Sequence, residues 1–268
     1  MDKIRVLATG LRFPEGPVFD ETGCLWCVEQ EGEGLFCRNL NGEILRVPTG
    51  GRPNGATVRD GYVWFCDSGQ HAIRRLTISS KEVETVLDRI GADPLQWPND
   101  LHFDQRGNLL FTCPGSSEDD MPGYVAAYSP DGLVEIVADE LNYPNGLTLL
   151  PGSQTLLICE THKQRIWQGY WDEESLSWEN ISVWTTVIDV PDGDSIPGPD
   201  GLTVGPDGDV YVAVFGAGLI RVFSADGYFK RDITLPGQNP SNCAFDPSGE
   251  LGLIVTETER GELLSITW

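Results

Sequence analysis

The sequence has few basic residues, few histidines and no long apolar run. Lys and Arg total 18 against 41 Asp and Glu, a formal net charge of -23, and there are 3 His. Because phosphate contacts need a basic surface, this balance argues against nucleic acid as a partner. No segment approaches the length of a membrane span, and the first residues do not resemble a secretory signal. We therefore expect a soluble, cytoplasmic protein with no membrane partner.

Seven cysteines are present, an odd number, and most of them fall inside apolar segments such as Val63-Trp64-Phe65-Cys66. Buried, reduced thiols are the expected state. Cys24 and Cys27 have the spacing of a redox or zinc pair, but there is no second pair, and residues three apart on a strand point to opposite faces. We interpret both as ordinary core residues.

A short proline motif occurs six times and leads each time into an apolar, strand-like segment. It consists of proline, a polar residue, and then usually Gly or Asp. Its copies begin at Pro14, Pro53, Pro98, Pro144, Pro199 and Pro240, at spacings of 39, 45, 46, 55 and 41 residues. Such a period is typical of radial or solenoid repeats, and six units can close into a ring.

Each copy of the proline motif precedes four short strand-like segments joined by hairpin turns, as expected for a propeller blade. In the fifth repeat these strands are predicted at Gly201–Val204, Asp209–Val214, Leu219–Ser224 and Tyr228–Thr234. The sixth repeat has only three, so we predict that Ile4–Ala8 supplies the fourth and closes the ring. The predicted fold is an all-β, six-bladed β-propeller with four-stranded antiparallel blades, forming one domain over residues 1–268.

The middle residue of each motif, its axial residue, should occupy an equivalent place near the axis of the ring. The six axial residues are Glu15, Asn54, Asn99, Asn145, Asp200 and Ser241. Two carboxylates held together repel each other unless a cation lies between them. Carboxylate and amide oxygens suit Ca²⁺, Mg²⁺ or Mn²⁺, and Fe²⁺ or Zn²⁺ remain open. We predict one divalent metal ion, with Asn54 and Ser241 lining the channel without binding it.

Four of the motifs together resemble the family of gluconolactonase, regucalcin (senescence marker protein) and luciferin-regenerating enzyme, over essentially the whole chain. They are Phe13-Pro14-Glu15-Gly16-Pro17, Pro98-Asn99-Asp100, Tyr143-Pro144-Asn145-Gly146-Leu147 and Pro199-Asp200-Gly201-Leu202. The resemblance implies a six-bladed propeller with one divalent metal in its central channel. It also implies that Glu15, Asn145 and Asp200 bind the metal, that Asn99 lies near metal or substrate, and that Asp200 is the catalytic base.

The activity implied by this resemblance is a metal-dependent hydrolase that opens the ring of a small-molecule sugar-acid lactone. The ion would polarise the lactone carbonyl and lower the pKa of water. Activation of water by the ion alone, without a separate base, remains open. The alternatives are a non-catalytic metal- or ligand-binding regulatory propeller, a hydrolase of another lactone or ester, and a strictosidine-synthase-like or phosphotriester-hydrolysing propeller. A serine hydrolase is disfavoured because the Gly-x-Ser-x-Gly motif is absent.

One position departs from the pattern of the family that the chain resembles. Many sugar-lactone members carry arginine two residues before the asparagine of the third motif, where this chain has Trp97. We expect a more aromatic entrance, with Arg52 supplying a cation from the second repeat. His162 is expected on a loop facing the pocket, and with Asn99 it completes the predicted substrate-binding set. His71 is expected at the surface.

Loops at the same end of the ring as the motifs should form the pocket wall. The candidates include Glu29, Asp67, Glu160 and Glu257, together with the longer segments Cys113–Gly123 and Val187–Gly198. Long loops on one face of a rigid scaffold often carry function, so we expect Val187–Gly198 to form a rim or lid. The sequence leaves open whether the protein is a monomer or a homodimer.

Overall fold

The structure, a computed structural model, describes residues 2–116, 121–188 and 197–268. These residues form 26 β-strands and one 3-10 helix, Thr161–Lys163. Six sheets contain four antiparallel strands each, which confirms the predicted six-bladed β-propeller. Within the described ranges, no helix has the length and apolar character needed to cross a bilayer.

The strands of the first half of the chain belong mainly to blades 1, 2 and 3. The chain begins with β1 (Lys3–Thr9), which is part of the last blade. Blade 1 contains β2 (Pro14–Phe19), β3 (Leu25–Glu29), β4 (Gly34–Arg38) and β5 (Ile44–Pro48). Blade 2 contains β6 (Pro53–Arg59), β7 (Tyr62–Asp67), β8 (Ala72–Thr77) and β9 (Val83–Leu87). A small hairpin, β10 (Arg89–Ile90) and β11 (Asp93–Pro94), precedes blade 3, which contains β12 (Leu101–Phe103), β13 (Leu109–Cys113), β14 (Gly123–Tyr128) and β15 (Val134–Leu141).

The second half of the chain forms blades 4, 5 and 6. Blade 4 contains β16 (Pro144–Leu149), β17 (Thr155–Glu160), β18 (Arg165–Asp172) and β19 (Ser177–Thr186). Blade 5 contains β20 (Gly198–Val204), β21 (Val210–Phe215), β22 (Leu219–Phe223) and β23 (Phe229–Thr234). Blade 6 contains β24 (Pro240–Phe245), β25 (Leu253–Glu257) and β26 (Glu262–Thr267), with β1 as its outer strand.

Pairing of β1 with β26 closes the ring, as predicted from the three-stranded sixth repeat. The register runs from Lys3 opposite Thr267 to Thr9 opposite Glu262, with an irregularity between Val6 and Ala8. Because β26 is paired with β1 on one side and β25 on the other, its own edge is not left exposed.

The apolar core is divided into six clusters, one between each pair of adjacent blades. The cluster between blades 1 and 6, for example, includes Leu25, Ile254 and Leu263, all of which are at most 1% exposed. Burial of such a side chain contributes about 1.5–3 kcal/mol to folding. All seven cysteines are free thiols, and every one except the half-buried Cys24 is buried, as expected from the sequence.

The proline motifs coincide with irregularities in the innermost strands. In β2, Pro14 and Glu15 pair with Glu29 and Val28, and the register then shifts before Val18. Blades 2, 4, 5 and 6 show a shift at the same place. Because a β-bulge changes the direction in which side chains point, it turns the axial residues toward the channel.

Candidate metal centre

The six axial residues lie buried at the inner ends of the blades. Glu15, Asn54, Asn99, Asn145, Asp200 and Ser241 are all between 0 and 8% exposed. Neighbouring motifs contact each other directly, since Gly55 N donates to Asn99 O at 2.6 Å and Ser241 Oγ donates to Pro14 O at 2.8 Å. The structure therefore brings the repeated polar positions together, including motifs from the two ends of the chain.

Thr161 connects the motifs of blades 4 and 5. Its hydroxyl accepts a hydrogen bond from Asn145 Nδ2 at 3.3 Å and donates to Pro199 O at 2.7 Å. Because the amide nitrogen of Asn145 is engaged, its oxygen is the atom left to act as an acceptor or metal ligand.

Glu15 is a carboxyl group whose protonation is shifted by its surroundings. Burial raises its pKa to about 8, and the negative charge of Asp100 contributes in the same direction. Hydrogen bonds oppose this rise, including one from Gly16 N to Glu15 Oε2 at 3.1 Å and others from the side chains of Ser241 and Asn242.

Asp200 is likewise affected by burial and by the charge of Asp100. Burial raises its pKa well above the usual range, followed in importance by the charges of Glu15 and Asp100, while hydrogen bonds from Asn145 and Gly201 lower it. Asp200 therefore senses the negative charge of Glu15, and a cation between the two acids would favour the ionised form of both.

The side chains that converge here fit a hard divalent cation. Glu15 and Asp200 offer carboxylate oxygens and Asn145 offers an amide oxygen, the donor types that Ca²⁺ and Mg²⁺ prefer. In the part of the chain that the structure describes, no group of three or more His, Cys, Asp or Glu is placed to hold a metal. A site at this position therefore depends on the amide of Asn145 as well as on the two acids.

Three aromatic residues precede the motif prolines and share an unusual backbone conformation. Phe13, Trp97 and Tyr143 have positive φ angles of 54°, 53° and 62°. The left-handed region costs a non-glycine residue about 1–2 kcal/mol, so the surrounding structure must hold these aromatics in place.

Trp97 lies at the entrance and is 36% exposed. Its ring centroid is 5.3 Å from that of His71, whose Nδ1 lies 2.9 Å from Leu95 O. His71 was expected at the surface; it is instead half-buried because it packs beside Trp97.

Tyr143 lies close enough to the axial acids to be affected by their charge, a proximity that the sequence analysis missed. Burial raises its pKa first, and the charges of Asp200 and Glu15 raise it further. Its ring stacks on the exposed His162, with centroids 4.7 Å apart. Burial, followed by the nearby Lys163, lowers the pKa of His162. Tyr143 and His162 also line a cavity of about 360 Å³ between blades 3 and 4.

Arg52 supplies positive charge near the same place. Its backbone N donates to Asp67 Oδ1 at 2.8 Å, and its Nη2 donates to Gln30 Oε1 at 3.0 Å. The charge of Arg52 lowers the pKa of Tyr143. Arg52 forms no ion pair with another described residue, so its exposed guanidinium is available to a ligand.

The acids at the ends of the second strands do not form the expected pocket wall. Glu29, Asp67, Glu160 and Glu257 are at most 5% exposed. They accept hydrogen bonds from backbone amides of the segments that lead into the proline motifs, as in Asn142 N to Glu160 Oε1 at 2.7 Å and Asn239 N to Glu257 Oε1 at 2.9 Å. These amides lie outside the strand pairing of the blades, so the acids supply their acceptor and fix the segment before each motif.

Asp100 and Asn242 are two further channel residues that the sequence analysis did not single out. They occupy the third position of their motifs, are 8% and 7% exposed, and contact each other. The signal was present in the sequence, because the other four motifs have glycine at their third position.

Residues 117–120 and 189–196 lie outside the described residues, and they include most of the predicted lid and part of the loop after Cys113.

Comparison with known proteins gives a consistent result for fold and family. A sequence model of the SMP-30/Gluconolactonase/LRE-like region matches residues 13–258. Gluconolactonase of Zymomonas mobilis subsp. mobilis is 27% identical over 277 residues, which cover 92% of this chain and 77% of that protein.

Solved structures with the same fold include a gluconolactonase from Xanthomonas campestris, with a TM-score of 0.85, 24% identity, and coverage of 99% of this chain and 89% of that one. They also include regucalcin from Agrobacterium tumefaciens, described as a calcium-binding protein, with a TM-score of 0.82, 18% identity, and coverage of 98% and 92%. At these identities the likeness concerns the fold.

Proposed function

The chain belongs to the SMP-30/gluconolactonase/LRE-like family, and we propose that it is an enzyme that hydrolyses lactones. Its similarity to the gluconolactonase of Zymomonas mobilis extends over 92% of the chain and supports this activity. The observation that carries the proposal is the burial of two interacting carboxyl groups, Glu15 and Asp200, at the inner ends of the blades.

We further propose that Glu15, Asn145 and Asp200 hold one divalent metal ion. Calcium is the first ion to test, because its preferred ligands are carboxylate and amide oxygens and because the structurally similar regucalcin is described as calcium-binding. When bound, such an ion supplies Lewis-acid polarisation of a carbonyl group and a lowered pKa of water.

The chain's own residues then move the proton. Asp200 accepts a proton from the water molecule whose oxygen attacks the lactone carbonyl carbon. The bond between that carbon and the ring oxygen breaks, and the ring oxygen takes the proton that Asp200 accepted and becomes the hydroxyl of the product acid. Asp200 suits this step because burial raises the proton affinity of its carboxylate, while a bound cation would keep that carboxylate ionised before the reaction. Asn99, buried in the motif of blade 3, would orient the substrate by hydrogen bonding.

The substrate we propose is a sugar-acid lactone that enters between Trp97, Arg52 and His162. Trp97 and the stacked pair of Tyr143 and His162 offer apolar faces, while Arg52 offers the one predicted cation. This combination favours a less polar lactone than a site with arginine in place of Trp97, and hydrolysis of another lactone or ester is the alternative. Cytoplasmic location and assembly as a monomer or homodimer stay predictions.

A pH-indicator assay tests the proposal. The purified protein is stripped with a chelator, and a panel of aldonolactones is offered before and after Ca²⁺, Mg²⁺, Mn²⁺ or Zn²⁺ is restored. We expect acid release from at least one lactone only with metal restored. No metal-dependent acid release from any lactone contradicts the proposal. If an ion still raises the melting temperature, that result favours a non-catalytic ligand-binding propeller.

A further inference from the structure

Two opposite blades differ from the other four at the third position of the proline motif. Gly16, Gly55, Gly146 and Gly201 occupy this position in blades 1, 2, 4 and 5. Blade 3 has Asp100 and blade 6 has Asn242, and in a six-bladed ring these blades face each other across the channel. Asn242 Nδ2 donates to Asp100 Oδ2 at 3.3 Å. We call these two residues the cross-channel pair.

The glycines of neighbouring blades leave the space that the cross-channel pair fills. A Cβ atom at Gly55 would lie 2.3 Å from Asp100 Oδ1, and one at Gly201 would lie 2.1 Å from Asn242 Cγ. Non-bonded atoms do not approach so closely, so a side chain at Gly55 or Gly201 would displace the pair. The pair therefore fills the channel one residue further along the first strands than the axial residues.

The two members of the pair are held by the same local arrangement. Thr112 Oγ1 accepts a hydrogen bond from Asp100 N at 3.1 Å, and Thr256 Oγ1 accepts one from Asn242 N at 3.0 Å. The side chains of the pair also accept hydrogen bonds from the backbone amides that follow them. Asp100 Oδ1 accepts from Leu101 N at 2.9 Å, and Asn242 Oδ1 accepts from Cys243 N at 2.8 Å.

Only these two blades have threonine as the penultimate residue of the second strand. The other four have Val28, Cys66, Cys159 and Val214 there. The threonine hydroxyl therefore occurs only in the two blades whose third motif position is not glycine. Blades 3 and 6 share both the polar side chain and the threonine that accepts from its backbone amide.

The cross-channel pair also acts on the predicted metal-binding acids. The charge of Asp100 disfavours ionisation of both Glu15 and Asp200, and the Asn242 side chain hydrogen-bonds to Glu15. A cation between Glu15 and Asp200 would therefore be attracted by three carboxylates rather than two.

We propose that the cross-channel pair closes the channel beneath the axial residues, and that Asp100 is a positioning residue whose charge strengthens cation binding while Asn242 holds Glu15. This inference rests on the proposed metal site. It adds to that site a residue that does not touch the substrate, and it implies that substrate and ion reach the axial residues from the motif face alone.

Asp100→Asn tests the role of the charge because the new side chain has the same shape. With Ca²⁺ as the probe, calorimetric titration should show binding weakened by about tenfold, the scale of a screened interaction between a unit charge and a divalent cation several Å away. Without metal, the variant should melt at or above the wild-type temperature, because one repelling charge is gone. A purely structural carboxylate would instead lower the melting temperature and leave calcium affinity unchanged, which would overturn the inference.

Asp104→Asn is the matched control. Asp104 is a buried carboxylate of the same blade, 3% exposed, but it accepts from Asn108 N and Trp171 Nε1 at the other end of the first strand. Its replacement should lower the melting temperature with and without calcium and leave calcium affinity unchanged.

The double variant Asp100→Asn with Asn242→Asp exchanges the members of the pair. It returns the third charge to the channel opposite an amide but removes the Asn242 hydrogen bond to Glu15, so calcium affinity should recover only part of the loss seen in Asp100→Asn. Affinity that stays as low as in Asp100→Asn would contradict a shared cross-channel role. A wild-type protein that binds no divalent ion would contradict the proposed metal site itself, whereas equal binding by wild type and Asp100→Asn would contradict only this inference.

Discussion

Asp200 combines two properties that a general base needs: it is buried, and its proton affinity is raised by its neighbours. Burial acts first, and the charges of Glu15 and Asp100 add to it. The side chain of Asn145 hydrogen-bonds to Asp200, and its Nδ2 also donates to Thr161 Oγ1. A change at any of these residues should therefore alter both ion binding and proton transfer.

Replacing Asp200 with Asn should abolish lactone hydrolysis while leaving the propeller folded. The amide cannot take the proton, and general-base catalysis contributes about 100- to 10,000-fold to rate. Turnover is measured with metal present, and circular dichroism checks the fold. Asn54→Ala, a change at an axial residue predicted only to line the channel, serves as the control and should keep most of the activity. Substantial turnover by the Asp200 variant would remove this residue from the role of base.

Trp97→Arg should shift substrate preference toward more hydroxylated lactones. The guanidinium can hydrogen-bond to sugar hydroxyls that the exposed indole cannot, and such contacts change selectivity by about tenfold or more. The ratio of kcat/KM for a polyhydroxylated aldonolactone to that for an alkyl lactone is compared between variant and wild type. An unchanged ratio would mean that Trp97 does not contact the substrate.

Repetition explains why the axial residues were predictable from the sequence. Equivalent positions in a cyclic repeat must lie near one axis, so Glu15, Asn145 and Asp200 needed no knowledge of side-chain packing to be placed together. The stacking of Tyr143 on His162 depends on how one loop folds back on another, and no periodicity encodes it.

At the scale of the elements, the second strands end in acids that hold the segments before the proline motifs. Glu160 is a clear example: it accepts from Asn142 N at 2.7 Å, from Arg165 Nε at 2.6 Å and from Trp167 Nε1 at 2.8 Å. The position of these acids in the repeat correctly predicted that they lie at the same end of the propeller as the proline motifs. It could not show that their oxygens turn inward, because that depends on the unpaired amides of the adjacent loop.

Glu160→Gln should destabilise the protein and lower its activity together. Loss of the charge-assisted bonds to Arg165 and to the amide of Asn142 should reduce the free energy of unfolding by about 1.5–3 kcal/mol. Because Asn142 precedes Tyr143 and Asn145, activity should fall as well. Urea denaturation and the lactone assay measure the two effects, with the exposed Glu179→Gln as control. A Glu160 variant as stable as that control would contradict the structural role.

At the scale of the whole molecule, the metal-free protein should lose stability as pH rises from about 5 to about 8. Burial and the charge of Asp100 raise the pKa of Glu15 from 4.5 to about 8, so in this range the folded protein holds a proton that the unfolded chain releases. A carboxyl group whose pKa is higher in the folded protein than in the unfolded chain stabilises the folded protein at low pH. This stability is lost as the pH rises through the pKa of the folded state.

Melting curves of the chelated protein at pH 5.5 and pH 8 measure this dependence. The fall in melting temperature between the two pH values should be smaller in Glu15→Gln. This comparison separates the contribution of Glu15 from the general effect of the net charge of -23. Saturating calcium should reduce it in the wild type, since the cation competes with the proton. Equal declines in wild type and Glu15→Gln would show that Glu15 is not the group responsible.

The seam between β1 and β26 has a consequence for the order of events during synthesis. Ser241 donates to Pro14 O and Asn242 to Asp100, so two neighbours of Glu15, Ser241 and Asn242, are translated more than two hundred positions after it. Contacts so distant in sequence form late, because a long loop must first be closed. A growing polypeptide on the ribosome would therefore complete the proposed ion site only after its last blade had emerged, and lactone turnover should begin only at that stage.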